Sequence, residues 1–305
     1  METGNQAGPQ TFRARAGNAW RSFMEGRRVR AAGQKMFYRH DAAVRALHWI
    51  NALCLLVMLM SGFQIFNAHP ALYWGKISDF DHPFVSMFGE QDNAGQITKG
   101  ITQIGHWQIN TTGVLGASYE NGQLAARGFP DWATLPGPQW LAMGRLWHFF
   151  FAWIFVINGA LFVAYALAKR HVQNDLLPTR ADIRHLGREI IDHARLRFPR
   201  GEAAKHYNAL QKITYFTVIF GLGPLIVLTG LTMSPTIDSA APWLLWVFGG
   251  RQSARTIHFI CAFSFLAFFI IHIVMVVLSG AWNNLRAIIT GWYGIEPDDV
   301  EQSHG

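Results

Sequence analysis

Four histidines lie inside, or at the mouths of, segments that are apolar enough to cross a lipid bilayer: His48, His148, His258 and His272. An ionisable side chain at membrane depth costs free energy and therefore usually marks a functional site. His258 and His272 are fourteen residues apart, almost four turns at about 3.6 residues per turn, so both point the same way on one helix. A rise of about 1.5 Å per residue separates them by roughly 21 Å along the axis. This spacing suits two ligand sites stacked across one membrane.

The elements that carry these histidines are four runs of roughly the 20 apolar residues needed to cross a hydrocarbon core. They cover residues 47–66, 140–168, 213–233 and 257–278. Half of the 305 residues are hydrophobic and 15% are charged, a composition typical of membrane proteins. The sequence therefore predicts an all-α integral membrane fold, a bundle of four transmembrane helices whose first span is retained rather than cleaved as a signal peptide. Cys54 and Cys261 fall within these spans and are interpreted as buried small hydrophobic residues.

The distribution of Lys and Arg predicts the orientation of the bundle. Residues 1–46 carry nine of these residues and 169–212 carry ten, whereas 69–139 carries three and 234–256 carries two. Because basic loops stay on the cytoplasmic side, both termini and the 169–212 loop are expected there. Topology and contact with anionic lipid thereby explain the net charge of +7, and the sequence predicts no nucleic-acid partner.

The chain divides into three parts by composition. Residues 1–36 form a basic N-terminal segment, 37–293 the four-helix domain and 294–305 an acidic tail. Within the domain, 69–139 is rich in Gly, Trp, Phe and Pro. It is therefore expected to fold as a periplasmic cap between the first two spans rather than to be a disordered linker. The cytoplasmic loop 169–212 is expected to contain a charged surface helix.

On this topology the four histidines fall into two pairs at matching depth. His48 lies at the cytoplasmic end of the first span and pairs with His272, whereas His148 and His258 pair near the outer face. Neutral imidazole is a standard axial ligand of haem iron, and each pair supplies two imidazoles. Zinc suits the pairs less well because it takes three or four protein ligands, and the sequence shows no third ligand at either depth. A proton relay, or an interface role for His48, is the alternative interpretation.

Several motifs around these histidines resemble one known family over about residues 38–293. They are Arg45-Ala46-Leu47-His48-Trp49, Gly144-Arg145-Leu146-Trp147-His148, Tyr207-Asn208-Ala209-Leu210-Gln211-Lys212 and Arg255-Thr256-Ile257-His258, with the fourteen-residue interval to His272. The chain is similar to the four-helix, di-haem cytochrome b subunits of membrane-bound formate dehydrogenases, nickel–iron hydrogenases and thiosulfate reductases. The long outer loop and the run 62–70 look most like the thiosulfate reductase type.

The resemblance implies two b-type haems (protohaem IX) and a specific task. Electrons would pass between quinone in the bacterial inner membrane and a periplasmic molybdopterin or iron–sulfur oxidoreductase. In the formate dehydrogenase branch quinone binds near an Asn and a Gln, which Asn208 and Gln211 match; Leu210 replaces the intervening glycine, and Lys212 follows. From the residues alone, Asn208, Gln211 and Lys212 suit helix capping and interfacial anchoring equally well.

Two rival functions are compatible with the histidines. The first is a stand-alone b561-type cytochrome that itself oxidises superoxide or reduces quinone, although the large outer loop favours a docking surface for a partner. The second is a non-haem transporter with a histidine proton relay, but the spans lack the interrupted repeat helices of that class. The preferred prediction is an electron-transfer subunit of an oxidoreductase complex, with no catalytic acid or nucleophile of its own.

Overall fold

The structure is a computed structural model that describes residues 35–137, 139–170 and 208–295, together with 172, 177, 179, 183, 184, 186, 187, 189–191 and 195. The expectations for residues 1–34, for most of the 169–212 loop and for residues 296–305 of the acidic tail lie outside the described residues. The described residues between 183 and 191 are helical, as expected for the charged surface stretch.

Four helices are long and apolar enough to cross a membrane. They are α1 (Ala42–Asn67), α2 (Leu141–Ala168), α3 (Ala209–Leu231) and, after the short α4 (Pro235–Ala240) and α5 (Trp243–Val247), α6 (Arg251–Leu278). The four predicted spans are thereby confirmed. Helices α1 and α6 begin five and six residues before the predicted spans, because helical hydrogen bonding continues through polar residues that an apolar window leaves out. Helix α1 packs along α2, and α3 packs along α6.

The first turns of α1 are fixed to the far end of α2, and these contacts position His48. The Asp41 side chain caps α1 by accepting a hydrogen bond from a first-turn N–H at 3.0 Å, and Tyr165 of α2 donates its hydroxyl to the same carboxylate. Asn158 of α2 donates its amide to the carbonyl of Leu47 at 3.0 Å. A cap satisfies N–H groups that a helix end leaves without partners. The depth at which α1 begins is therefore set by α2.

Helix α3 contains one wide turn, Thr217–Leu222, in which the N–H of Gly223 bonds the carbonyl of Val218 five residues back. Pro224 follows at the start of the next regular segment. A proline inside a helix lacks an N–H and clashes with the carbonyl four residues earlier, and a wide turn is one way in which a helix absorbs that mismatch. The helix thereby continues past the proline and buries Thr229 completely.

The two ends of the described chain pair with each other. Strand β1 (Lys35–Tyr38) runs antiparallel to β8 (Trp292–Ile295), which follows α7 (Ala281–Thr290). The boundaries predicted at 36/37 and 293/294 fall inside these two strands. Four residues on each side carry too short a pattern to predict a pairing across almost the whole chain. Since β1 leads into α1 and β8 follows α6 and α7, the start of α1 and the end of α6 lie at the same end of the bundle.

The cap between α1 and α2 is a β structure, so the prediction of an all-α fold is wrong for this part. A four-stranded antiparallel sheet contains β2 (Ala71–Leu72), β3 (Val85–Gln91), β4 (Ile97–Ile104) and β5 (Trp107–Asn110), in that order. Strands β6 (Ala117–Glu120) and β7 (Gln123–Ala126) form a hairpin.

The turn between β6 and β7 has a sequence that predicts a β-hairpin. It consists of Asn121-Gly122, and both residues have a positive φ. An Asn-Gly pair between two short strands is the strongest short-range hairpin signal, because both residues tolerate the left-handed conformation of the turn. Aromatic content, by contrast, predicts a folded segment without indicating whether it is helical or extended.

The cap is fixed over the end of the bundle at which α1 ends and α6 begins. Asn67, the last residue of α1, makes two hydrogen bonds with the backbone of Phe129, at 3.0 and 2.7 Å. Thr256 of α6 donates to the carbonyl of Tyr73 at 2.6 Å, and Phe129 also packs near Phe259 of α6, with ring centroids 6.5 Å apart. Each contact joins a helix end to the cap, so the cap closes this end of the bundle.

Removing the Tyr165 hydroxyl should weaken the anchor of α1 in a pH-dependent way. The hydrogen bond from Tyr165 is the main cause that lowers the pKa of Asp41 below its ordinary value of 3.8, against a smaller opposing effect of burial. A carboxyl whose pKa is lowered by folding contributes stability above its unfolded pKa and loses that contribution as the pH falls through the folded pKa. Tyr165→Phe should therefore melt below the wild type near neutral pH, with a difference that shrinks in acid.

Thermal unfolding in detergent across a pH series measures this difference. Tyr119→Phe, which changes an exposed tyrosine of the cap, is the matched control and should melt as the wild type does at every pH. A Tyr165→Phe deficit that is the same in acid and at neutral pH would contradict the assignment.

Candidate functional site

His148 of α2 and His258 of α6 face each other at the cap end of the bundle. Their ring centroids are 6.2 Å apart and their ring planes differ by 62°. Both helices begin at this end, and each histidine is the eighth residue of its helix. The structure thus brings together two histidines that the sequence paired by depth; we call them the cap-side pair.

Helix α1 holds the His148 ring through its Nδ1 atom. Nδ1 lies 3.1 Å from the carbonyl oxygen of Met58 and 3.1 Å from Oγ of Ser61. The Ser61 hydroxyl is itself buried and donates to the carbonyl of Val57, one turn back, at 2.7 Å. The ring is therefore oriented by a backbone carbonyl and by a hydroxyl of the neighbouring helix.

Helix α3 holds the His258 ring in the same way. Nδ1 of His258 lies 3.0 Å from the carbonyl oxygen of Ile226 and 3.2 Å from Oγ1 of Thr229. The buried Thr229 hydroxyl donates to the carbonyl of Leu225, one turn back, at 2.8 Å. In both cases the carbonyl belongs to the residue three positions before the hydroxyl residue, so α1 and α3 present equivalent groups to the two rings.

These contacts determine which nitrogen of each cap-side ring carries the proton. A carbonyl oxygen can only accept a hydrogen bond, so Nδ1 of His148 beside Met58 O, and Nδ1 of His258 beside Ile226 O, must donate. The Nε2 atom of each neutral ring then has a free lone pair. A neutral imidazole whose Nδ1–H is held by a backbone carbonyl is the usual form of a metal-binding histidine.

A glycine beside each hydroxyl residue leaves space for the ring. A Cβ atom added at Gly62 would lie 3.5 Å from Cε1 of His148, and one added at Gly230 would lie 3.2 Å from Cε1 of His258. The second distance is tighter than ordinary contact between carbon atoms. The dipeptides Ser61-Gly62 and Thr229-Gly230 therefore combine an acceptor for Nδ1 with a flat surface against the ring.

The spacing of the cap-side rings fits a metal atom shared between them. A bond from a metal to an imidazole nitrogen is about 2.0–2.1 Å, so two rings on one metal atom have centroids about 6 Å apart. The observed separation is 6.2 Å. Among the described residues no group of three or more His, Cys, Asp or Glu side chains is placed to hold a metal ion. A two-imidazole site of this kind suits a metal whose other ligands come from a porphyrin.

His48 of α1 and His272 of α6 lie at the other end of the bundle and form the far-side pair. The two side chains are close enough for a charge on one ring to act on the other. Phe268 stacks on His272 with ring centroids 5.8 Å apart, and Trp49 meets the His48 ring edge-on at 5.4 Å. Nδ1 of His48 is buried without a hydrogen-bond partner among the described residues. An imidazole nitrogen of this kind in an apolar interior is one that a bound group can satisfy.

An apolar layer separates the two pairs. Phe155 and Phe265 come seven residues after His148 and His258, and Phe265 comes seven residues before His272. Seven residues are almost two helical turns, so each phenylalanine lies on the histidine face of its helix. The two rings meet edge to face at 6.4 Å, and Phe265 is buried. These two rings therefore form an apolar contact between the depths of the two histidine pairs.

The residues predicted to contact quinone lie at the N-terminus of helix α3, where Asn208 is the helix N-cap residue. Oδ1 of Asn208 accepts a hydrogen bond from Gln211 N at 2.8 Å, and Oε1 of Gln211 accepts from Asn208 N at 3.3 Å. This reciprocal arrangement is a capping box. Lys212 follows in the first turn, and its backbone N–H bonds the Asn208 carbonyl at 3.0 Å. The capping alternative stated for these residues is thus observed. It uses the side-chain oxygen of Asn208 and that of Gln211.

Sequence reasoning missed the residues that orient the cap-side rings. A Ser or Thr followed by Gly occurs inside the first span as Ser61-Gly62 and inside the third as Thr229-Gly230. A hydroxyl next to a glycine in an otherwise apolar span is a readable signal of a close helix contact. The signal does not say which side chain the hydroxyl meets, because the partner histidines lie 87 and 29 residues away.

Comparison with known proteins finds matches over most of the chain. A family model described as prokaryotic cytochrome b561 matches residues 39–291. One relative is a protein of Azospira oryzae, provisionally named protein-methionine-sulfoxide reductase subunit YedZ1, which is 23% identical over 258 residues. The alignment covers 85% of this chain and 98% of that protein.

Alanine at the two glycines should affect the protein differently. Gly230→Ala places a Cβ at 3.2 Å from the His258 ring, which must then move, whereas Gly62→Ala makes an ordinary 3.5 Å contact with His148. We expect Gly230→Ala to cost about 1–3 kcal/mol through overpacking. Gly62→Ala should be neutral or gain about 0.5–1 kcal/mol from reduced chain entropy.

Melting temperatures in detergent compare the two variants. Gly159→Ala on α2, where an added Cβ meets nothing within 4 Å, reports the entropy gain alone. If Gly230→Ala melts as Gly159→Ala does, the close approach to the His258 ring does not constrain the site.

Proposed function

This chain belongs to the prokaryotic cytochrome b561 family, and from that membership we propose that it is a membrane electron-transfer subunit that holds two b-type haems in series. Membership implies b-type haem and membrane electron transfer. The number of haems, their ligands, the quinone and the partner described below are our proposal.

The cap-side pair is the observation that carries this proposal. Two imidazoles on different helices face each other at 6.2 Å between centroids, and the hydrogen bonds at Nδ1 leave Nε2 of each ring as the lone-pair donor. A buried imidazole needs a partner at both ring nitrogens, and these hydrogen bonds supply one at Nδ1 and leave Nε2 for a ligand contact. Axial ligation of one haem iron by two neutral imidazoles uses both free nitrogens.

We assign the cap-side haem to His148 and His258 and the far-side haem to His48 and His272. The bound haems would supply one-electron redox chemistry between ferric and ferrous iron. The carbonyls of Met58 and Ile226 would orient the cap-side imidazoles for this role by holding the Nδ1–H of each ring. Phe155 and Phe265 meet between the two sites, and we propose that this apolar contact excludes water, so that electrons could cross the bundle without an accompanying aqueous path for protons.

We infer that quinone binds at the far side, beside the N-terminus of α3. The capping box engages Oδ1 of Asn208 and Oε1 of Gln211, which leaves the Gln211 amide N–H group as a candidate donor to a quinone carbonyl. In the first turn of α3, Leu210 N donates to the Glu189 carboxylate at 3.0 Å and Gln211 N donates to Oδ1 of Asn208 at 2.8 Å, so the backbone of this helix end contributes its dipole rather than these two N–H groups. Lys212 adds a cation in the same turn.

We propose that the cap is the docking surface for a periplasmic oxidoreductase subunit that contains molybdopterin or iron–sulfur centres. The start of α1 and the end of α6 share one end of the bundle, and the excess of Lys and Arg in 1–46 and 169–212 favours the cytoplasmic face of an inner membrane for that end. The cap then faces the periplasm. The name of the Azospira relative as a reductase subunit supports a catalytic partner for this chain.

Charge on the cap favours a partner with a basic surface. Arg127 is the only arginine in residues 69–139. It is buried and forms ion pairs with Glu120 and Asp131, so its charge is already compensated within the cap. The remaining charges are four acidic residues against two lysines, and they are Asp79, Asp81, Glu90 and Asp92 against Lys76 and Lys99. A negative surface of this kind would steer a positively charged partner and make association sensitive to salt.

Counting haem tests the ligand assignment. Pyridine-haemochrome and protein assays on the purified chain should give two b haems per chain. His148→Ala and His258→Ala should both lose the cap-side haem, so the same midpoint potential should be missing from both variants. His48→Ala and His272→Ala should both lose the far-side haem. His82→Ala, which changes an exposed histidine of the cap, should retain both. One haem or none in the wild type, or loss of the same haem from His258→Ala and His272→Ala, would overturn the wiring.

Isolation from native membranes tests the partner. The chain should co-purify with an oxidoreductase subunit that remains attached in low salt and dissociates as the ionic strength rises. Isolation of the chain alone, with superoxide-oxidising or quinone-reducing activity of its own, would instead favour the stand-alone cytochrome.

A further inference from the structure

We infer that the hydroxyls of Ser61 and Thr229 are a matched pair of hydrogen-bond acceptors that lower the reduction potential of the cap-side haem. The inference rests on the proposed function, because it requires His148 and His258 to be ligands of one iron. It adds two positioning residues, one on α1 and one on α3, that act on the iron through its ligands.

The direction of the hydrogen bonds is set by the helices themselves. The Ser61 hydroxyl lies 2.7 Å from the Val57 carbonyl, and the Thr229 hydroxyl lies 2.8 Å from the Leu225 carbonyl. Carbonyl oxygens cannot donate, so each hydroxyl proton is used one turn back in its own helix. A lone pair of each hydroxyl oxygen therefore remains for the imidazole Nδ1–H.

Each imidazole proton is shared between two acceptors at similar distances. Nδ1 of His148 has Met58 O and Ser61 Oγ both at 3.1 Å, and Nδ1 of His258 has Ile226 O at 3.0 Å and Thr229 Oγ1 at 3.2 Å. Backbone carbonyls alone would satisfy the two Nδ1–H groups. The hydroxyls are thus additional acceptors, which increase the electron density on each ring.

Burial makes these contacts stronger than they would be at a surface. Ser61 and Thr229 are both 0% exposed, and hydrogen bonds in a low-dielectric interior are less attenuated by solvent. A ligating imidazole whose Nδ1–H is accepted by a neighbour is a more basic ligand. A more basic ligand stabilises ferric over ferrous iron, so each hydroxyl lowers the midpoint potential of the haem.

The equivalence of the two acceptors leads to an additive expectation. Ser61 and Thr229 contact different rings, on different helices, with the same back-bonding pattern. Removing either should raise the potential by a similar amount. The two shifts should add in the double variant, because the residues share no direct contact and each acts through its own ligand.

Redox titration of the purified di-haem protein tests the inference. The variants are Ser61→Ala, Thr229→Val and the double variant, and the haem missing from His258→Ala identifies the cap-side midpoint. We expect positive shifts of the cap-side midpoint in both single variants and a shift near their sum in the double variant. The far-side midpoint should stay at the wild-type value.

Thr232→Val is the matched control. Thr232 is a buried threonine that directly follows α3 as its C-cap residue, and its hydroxyl donates to the carbonyl of Thr229 at 2.6 Å. Its removal changes helix packing at the same depth, and no hydrogen bond joins it to either imidazole. The cap-side midpoint should therefore match the wild type in Thr232→Val.

The conservative substitution Thr229→Ser separates the hydroxyl from the methyl group. It keeps the acceptor, so the cap-side midpoint should stay at the wild-type value even if Thr229→Val loses haem. The inference is wrong if Thr229→Ser shifts the midpoint as Thr229→Val does, if Thr232→Val shifts it as far as Ser61→Ala, or if the shifts are zero or negative. A wild-type preparation with fewer than two haems per chain would instead overturn the proposed function.

Discussion

A polar group that this bundle buries needs a partner in the protein or in a bound group, because a hydrocarbon interior offers no water in its place. The cap-side imidazoles show what this constraint produces. A carbonyl and a hydroxyl of the adjacent helix accept the Nδ1–H of each ring, and the hydroxyl returns its own proton to its helix. The contacts that satisfy Nδ1 also leave Nε2 for the proposed haem ligation. The same hydrogen bonds would therefore both satisfy the buried ring and orient it as a ligand.

The rest of the molecule holds the helices so that these contacts can form. Helix α1 supplies groups to α2, and α3 supplies equivalent groups to α6, so each histidine helix depends on the helix that precedes it in the bundle. Asp41 and Tyr165 fix the depth of α1 against α2 at one end, and Asn67 and the cap fix α1 at the other. In α3, the wide turn before Pro224 lets the helix continue as far as Thr229. A displacement of one turn in any of these helices would separate a ring from its acceptors.

The parts of the fold that the sequence predicted are those that depend on neighbouring residues. The lengths of the four spans follow from bilayer thickness, and the common face of His258 and His272 follows from the helical repeat. The cap was predicted to fold but not to be a sheet, since its aromatic content carries no period; only the Asn121-Gly122 turn indicates a hairpin locally. The role of Asn208 and Gln211 stayed open because one side chain suits both a helix cap and a ligand contact. The structure shows that both residues cap the N-terminus of helix α3, whereas their contact with quinone is our proposal.

The sequence by itself determined that four helices are long and apolar enough to cross a bilayer and that the four histidines fall at two depths along them, because hydropathy and helical periodicity are properties of a single segment. Only the tertiary structure decided that the ring centroids of His148 and His258 lie 6.2 Å apart and that the hydroxyls of Ser61 and Thr229 contact those rings. These contacts join residues 87 and 29 positions apart. The choice of partner depends on how four helices rotate about their axes when they pack, and no single helix contains that information.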